Sequence, residues 1–227
     1  MRITPAGARS AVTPRPAAIV VEDWSEQPLG RVGIPIGWEA QSWGRAGKYD
    51  FKVELRGDGD EVRKVLHLLS NGDNSTISKR VGSIDAHAYP ILEWQWRMMT
   101  LPRGGDSRAA ATDDQAGQIY VVFPRFPAAT RSRVIGYVWD TTAPAGTIAR
   151  SPSTSMVTYV VVRSGPADLG QWLSERRNVL EDFKRIYGEA PAEAIEVVTI
   201  GIDSNDTRSH AESYMGEIRF RALTEHE

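Results

Sequence analysis

The chain predicts an all-β fold: a two-sheet antiparallel β-sandwich, jelly-roll-like, with one helix packed against it. Apolar residues alternate with polar ones in about ten short runs, the period-two signature of strands with one buried face. Turn-forming residues separate those runs, and a single segment has helical length, which disfavours a parallel sheet with crossover helices. With 227 residues the chain can support one core of its own. Residues 18–227 are therefore read as one domain behind an irregular lead-in at 1–17, where Pro5, Pro14 and Pro16 accompany little that could be buried.

Ile19, Val20 and Val21 open the strand pattern, followed by runs at 38–43, 49–55 and 62–69. At 92–98 the alternation is sharpest: Leu92, Trp94, Trp96 and Met98 share one face, and Glu93, Gln95 and Arg97 the other. Further runs occupy 118–123, 134–139, 156–163, 196–202 and 216–221. Gly57-Asp-Gly59, Asn71-Gly-Asp-Asn74, Pro102-Arg-Gly-Gly105 and Ala143-Pro-Ala-Gly146 read as turns or loops. No internal repeat and no heptad appears.

The helix is expected at 171–187, closed by Gly188 as its C-cap with Pro191 just beyond. Spacing residues about 100° apart puts Trp172, Val179, Phe183, Ile186 and Tyr187 on one stripe facing the sandwich. Arg176 falls inside that stripe and would need carboxylate or carbonyl partners, with Glu175 and Asp182 at its edge; it reads as an internal salt bridge from helix to sheet or, alternatively, as an anion-binding Arg. Arg177 with Glu181 reads as an exposed i,i+4 pair.

Composition removes whole classes of function. With no Cys there is no disulfide framework, thiolate metal centre or cysteine nucleophile, and four scattered His make a three-His metal site improbable. A net charge of −2 gives no overall field to draw in nucleic acid. No run of about 18 apolar residues exists, so membrane insertion is not expected. The start, Met1 to Val12, lacks the continuous apolar stretch of a secretory signal, while absence of Cys suits a cytoplasm or a periplasm equally. Gly-x-Ser-x-Gly, His-Glu-x-x-His, phosphate-loop and dinucleotide fingerprints are all missing, which disfavours serine hydrolases and nucleotide enzymes.

Several blocks resemble, in order, a bacterial family catalogued as domain of unknown function 3047. They are Pro90-Ile-Leu-Glu-Trp-Gln-Trp96, Asp113-Asp114 with Gly117-Gln-Ile-Tyr-Val-Val-Phe123, Ile135-Gly-Tyr-Val-Trp139 and Val161-Val-Arg-Ser-Gly165. Gln171-Trp172, Glu175-Arg-Arg-Asn-Val179, Asp182-Phe183, Asp203-Ser-Asn-Asp-Thr207, Tyr214 and Gly216-Glu-Ile218 complete them. The resemblance implies a β-sandwich similar to carbohydrate-binding modules, often exported, with no assigned reaction. Near the end the family pattern reads Asp-x-Asp-Asn-Thr, whereas here Asn205 precedes Asp206.

Candidate sites follow from residue chemistry. Asp113 and Asp114 lead into a strand, and adjacent strand residues point apart, so they can share a task only where the backbone turns. With Glu175 and Asp203 they form the set from which an acid–base pair on a glycosidic bond could be drawn. The stretch from Asp203 to Arg208 follows a buried run with several hard oxygen donors, so Asp203, Asn205 and Asp206 could hold a structural Ca²⁺, though Asx turns use the same residues. No cofactor is otherwise required.

Of seven Trp, Trp94, Trp96 and Trp172 are assigned to packing. Trp139 ends its strand beside Asp140, with Tyr137 in the same alternation, and is expected to form an aromatic plate for a sugar ring. Arg163, Arg176 and Asn178, which stand in the shared blocks, complete the expected ligand-binding set. The leading expectation is a non-catalytic protein that binds carbohydrate or a cell-envelope polymer. A carboxylate-dependent glycoside hydrolase and a scaffold with internal salt bridges only are the alternatives.

Overall fold

A computed structural model describes residues 16–41, 47–58 and 61–224. Residues 42–43 of the run expected at 38–43, most of the lead-in and Gly59 of the first turn lie outside the described residues. In chain order the strands are β1 (Ala18–Glu22), β2 (Glu39–Ala40), β3 (Asp50–Asp58), β4 (Glu61–Asn71), β5 (Asn74–Ile84), β6 (Ile91–Thr100) and β7 (Gly117–Phe123). After them come β8 (Arg133–Asp140), β9 (Ile148–Arg150), β10 (Val157–Ser164), β11 (Leu173–Asn178), β12 (Ile195–Asp203) and β13 (His210–Arg221). A one-turn helix α1 (Ala128–Arg131) precedes β8, and α2 (Val179–Tyr187) follows β11.

The strands form two sheets. One has the order β11-β6-β13-β4-β3, with β1 also paired to β13; the other runs β2-β5-β12-β7-β8-β10-β9. Pairing is antiparallel except between β8 and β10, which are parallel. The expected all-β sandwich is the observed fold.

Its core lies where the inner faces meet. β6 turns Leu92, Trp94, Trp96 and Met98 inward, as its alternation demands, and β8 turns Ile135, Tyr137 and Trp139 to meet them. Trp94 stacks on Tyr137 at 5.5 Å, and Trp96 meets Trp139 at 5.8 Å. Such aromatic pairs contribute about 1 kcal/mol each beyond the area they bury, so this ladder fixes how one sheet sits on the other. The polar row Glu93, Gln95 and Arg97 faces outward and stays partly exposed.

The structure corrects the helix. Residues 173–178 form β11, paired antiparallel to β6 with Ser174 opposite Gln95 and Arg176 opposite Glu93. Helix α2 begins only at Val179, where Asn178 caps it by accepting the Glu181 N–H at 3.1 Å. Gly188 ends it in the left-handed conformation, φ 77°, with its N–H on the Lys184 carbonyl. Because side chains of a strand alternate while those of a helix advance by about 100°, the helical phase assigned the two arginines to the wrong sides. Arg176 is exposed, and Arg177 turns in toward Asp182.

Besides β11, two strands were not anticipated. β5 is polar over much of its length, so its alternation is faint, and β9 has only three residues. The outer face of the seven-stranded sheet is also more apolar than a wet face, with Tyr120, Val138, Tyr159 and Val161 packed under Ala143. Gly136 makes room there: a Cβ on it would lie 2.8 Å from the Tyr120 ring and 3.1 Å from that of Tyr159.

Candidate functional site

At one end of that outer face opens a cavity of about 600 Å³. Its walls come from the turn joining β4 to β5, the loop leading into β7, the loop between β9 and β10, and the loop after β12. Alternation explains the contributions: Tyr120 sits opposite in parity to the buried Ile119 and Val121, and Asp203 ends β12 on the face opposite Ile202. Asp113, Asp203, Asn205, Asp206, Asn74, Tyr120, Tyr159, Ser151, Ser153 and Arg208 all line the space.

Asp113 and Asp114 do divide their labour, because the backbone turns at this loop. Asp114 is fully buried and accepts the backbone N–H groups of Asp206 at 3.1 Å and Thr207 at 2.6 Å. It staples the loop after β12 to the loop before β7. Asp113 faces the cavity, where its Oδ1 accepts from Gln115 Nε2 at 2.9 Å and its Oδ2 from Ser153 Oγ and Tyr159 Oη at 3.3 Å each. Asp203 accepts from Asn74 Nδ2 at 2.6 Å and from the Asn205 N–H at 3.2 Å.

Asp113, Asp203 and Asp206 hold their protons unusually well. Burial, reinforced by the charge of Asp114, pushes Asp203 up to about 9. Burial alone is the main reason that Asp113 rises to about 6, its hydrogen bonds working against the rise. Asp206 is raised by burial and by Asp114. Tyr159 and Tyr120 are raised as well, chiefly by burial. Asp73, on the β4–β5 turn, goes the other way: although burial opposes it, the Lys48 N–H, the Ser75 hydroxyl and the Asn71 N–H hold it below the usual carboxylate range. The wall thus mixes acids that ionise at different pH with amide and hydroxyl donors, an arrangement suited to holding a polyhydroxylated ligand.

Other expected site residues lie elsewhere. Trp139 and Tyr137 are core residues, the indole donating to the Gly165 carbonyl at 3.0 Å and the phenol to Asp182 at 2.9 Å. The expected sugar plate is therefore not on the surface: β8 is an interior strand that turns Ile135, Tyr137 and Trp139 toward the other sheet. Glu175 is a strut, accepting from Trp96 Nε1 at 3.1 Å and from Arg163 Nε at 2.7 Å, which joins β10 of one sheet to β11 of the other. Arg163 is thereby committed, with Asp168 as a second partner at 3.1 Å. Asn178 is the helix cap. Arg176 lines a smaller cavity of about 310 Å³ on the outer face of the six-stranded sheet, with Glu93, Gln95, Ser174, Glu217 and Arg219.

Sequence reasoning brought Asp113, Asp203, Asn205 and Asp206 to the site but missed Asn74, Tyr120, Tyr159, Ser153 and Arg208. The parity of Tyr120 and Tyr159 against their apolar neighbours was the available signal. Among the described residues no group of three or more His, Cys, Asp or Glu side chains is placed to hold a metal ion. Nor is any helix among them long and apolar enough to cross a membrane.

The chain is similar to solved structures at very low identity. A family 11 carbohydrate-binding module from Clostridium thermocellum, solved with a β-1,3-1,4-mixed-linked tetrasaccharide, aligns at TM-score 0.48 and 9% identity over 92% of this chain and 98% of that one. A family 30 carbohydrate-binding module of a Clostridium thermocellum cellulosomal cellulase aligns at 0.45 and 10%, over 90% and 97%. The xyloglucanase domain of NopAA, a type three effector from Sinorhizobium fredii, aligns at 0.44 and 9%, over 82% and 93%. No curated protein matches the chain. Residues 37–219 match a family model described as protein of unknown function (DUF3047), and the chain belongs to that family.

Proposed function

We propose that the protein binds a saccharide, without cleaving it, in the cavity on the outer face of the seven-stranded sheet. The observation that carries this reading is the cavity's lining: carboxyl, amide, hydroxyl and guanidinium groups, with two tyrosines, around about 600 Å³. A sugar needs many directional hydrogen-bond partners around its hydroxyls and an aromatic surface for its CH groups, and this wall offers both. Asn74, Ser153 and the Asp206–Arg208 loop stand on three separate segments, so a ring placed among them meets polar groups from several sides.

The test is calorimetric titration with a panel of soluble oligosaccharides, repeated on Asn74→Ala and Asp206→Ala. Binding that weakens about tenfold in each variant, at unchanged thermal stability, supports the reading. Failure of every polysaccharide to retard the protein in affinity gels overturns it.

A second reading, hydrolysis of a glycosidic bond, is favoured by one observation. Asp203, raised to about 9, would be a proton donor at the same pH at which Asp113, raised to about 6, is largely ionised. Glu175 drops out of that reading, because its carboxylate is spent on Trp96 and Arg163. Product release from oligosaccharides over long incubation, abolished in Asp203→Asn, would favour it over simple binding.

A further inference from the structure

The cavity's carboxyls differ from those elsewhere in the fold in what they are bonded to. Outside the cavity, buried acids meet a cation or a set of backbone donors. Glu22 holds Lys79 at 2.9 Å, Glu175 holds Arg163 at 2.7 Å, Asp182 holds Arg177 Nε at 2.9 Å, and Asp140 closes on three backbone N–H groups. Inside it, Asp113 has Gln115, Ser153 and Tyr159, Asp203 has Asn74, the Asn205 N–H and the carboxyl of Asp114, and Asp206 has the Asn205 side chain. Arg208 also lines the cavity, yet no ion pair joins it to a carboxylate among the described residues. Two buried acids, Asp113 and Asp203, and the exposed Asp206 thus face a common space with no cation among their partners, in a protein whose other buried acids meet a cation or backbone donors. Removing carboxylates from water without a cation is costly, and a bound cation would offset that cost.

The kind of cation follows from the layout. A calcium ion needs several oxygens converging on one point, and no such convergence exists among the described His, Asp and Glu side chains. The acids instead stand on two segments, Asp113 before β7 and Asp203 with Asp206 at the end of β12, around a space large enough for sugar rings, beside two tyrosines whose rings attract a cation through their faces. An ammonium group carried on an organic ligand fits that layout, because it donates up to three charge-assisted hydrogen bonds from one point of a larger molecule.

We infer that the saccharide this cavity takes is an amino sugar with a free amine, whose ammonium group supplies the cation that Asp113 and Asp206 lack. The inference rests on the saccharide reading of the cavity and adds the substrate class to it. Hydroxyls of the same ligand are left to Asn74, Ser153 and Arg208.

The experiment is calorimetric titration of the whole protein with three β-1,4-linked oligomers of equal length: glucosamine, N-acetylglucosamine and glucose, with CaCl₂ as a fourth probe. The glucosamine oligomer should bind at least about tenfold more tightly than the other two, and this preference should collapse toward parity in Asp206→Asn and in Asp113→Asn. Asp206 is exposed, so its variant keeps the result interpretable if the Asp113 variant folds poorly. Equal or tighter binding of the acetylated or neutral oligomer overturns the inference and leaves the saccharide reading standing. Binding of other neutral polysaccharides with none of these three does the same. Calcium binding that is lost in Asp206→Asn, without binding of the glucosamine oligomer, also overturns it. Absence of binding to any saccharide overturns both.

Discussion

Tyr137, buried between the sheets, donates its hydroxyl to Asp182 of α2 at 2.9 Å, and the same carboxylate oxygen accepts Arg177 Nε at 2.9 Å. One acid therefore ties the helix to the core of one sheet and to the edge strand of the other. Removing it in Asp182→Ala strands a phenol and a half-buried guanidinium, and should cost about 3 kcal/mol. Arg176→Ala, one residue away but on the wet face, should change stability by less than about 0.5 kcal/mol. Urea unfolding of the two variants checks this contrast, and similar losses in both would refute the assignment of sides.

Asp114→Ala should be destabilising by about 2–4 kcal/mol, because the Asp206 and Thr207 N–H groups lose their shared acceptor. It should also bring Asp203 down toward the ordinary carboxylate range, since the charge of Asp114 is among the causes that raise it. Carbon-detected NMR titration of the Asp203 carboxyl reads the second effect independently of the first.

Stability should fall as pH rises across roughly pH 4 to 9. Asp203 and Asp113 have folded values of about 9 and about 6, above the unfolded value of 3.8, so in that window the native state binds more protons than the unfolded one. The stabilisation tied to their neutral forms is complete below the unfolded value and is lost as pH passes through each folded value. Acids held low, such as Asp106 at about 2 beside Arg108, act in the opposite sense, but only at pH below that window. Denaturant midpoints for the wild type should therefore decline across the window, and the decline should be shallower in Asp203→Asn. A flat wild-type profile would count against the raised values.

Trp139→Ala should cost about 3–5 kcal/mol, because it empties an indole-sized volume between the sheets. Tyr159→Phe should leave stability within about 1 kcal/mol and weaken saccharide binding, since it removes one donor to Asp113 in the cavity wall. The pair separates a core aromatic from a cavity aromatic by calorimetry and thermal melts.

Calcium at Asp203, Asn205 and Asp206 is tested by thermal unfolding in EDTA and in added CaCl₂. A site filled at a hundred times its Kd would add about 2.7 kcal/mol. With Asp203 already bonded to Asn74 and no triad of acidic groups placed for a metal among the described residues, the midpoint should not move.

Much of the sandwich was legible because burial imposes alternation. Leu92 to Met98 could be assigned face by face, and Trp94 and Trp96 went to the core on parity alone. Alternation fails as a guide where both faces are covered. On β8 the inward set Tyr137 and Trp139 and the outward set Val134 and Val138 are all buried, so an indole at a strand end gave no sign of which way it pointed. It fails again where a short edge strand carries charges, as Glu175, Arg176 and Arg177 do on β11: runs of polar residues fit a helix or a strand equally well.

By itself the sequence determined the all-β architecture, the C-cap at Gly188, and the presence of acids at Asp113, Asp203 and Asp206 with no thiol or histidine chemistry beside them. Each of those depends on local patterning or on composition, which a linear reading contains. Only the tertiary structure decided that three of those acids share a cavity with Asn74, Tyr120 and Tyr159, while Glu175, Arg163 and Tyr137 are struts. The physical reason is that a site made by four loops depends on which strands become neighbours. Pairing of β12 with β5 and β7 brings Asp203 beside Asn74, and the parallel pairing of β8 with β10 sets Tyr159 over Gly136 beside Tyr120.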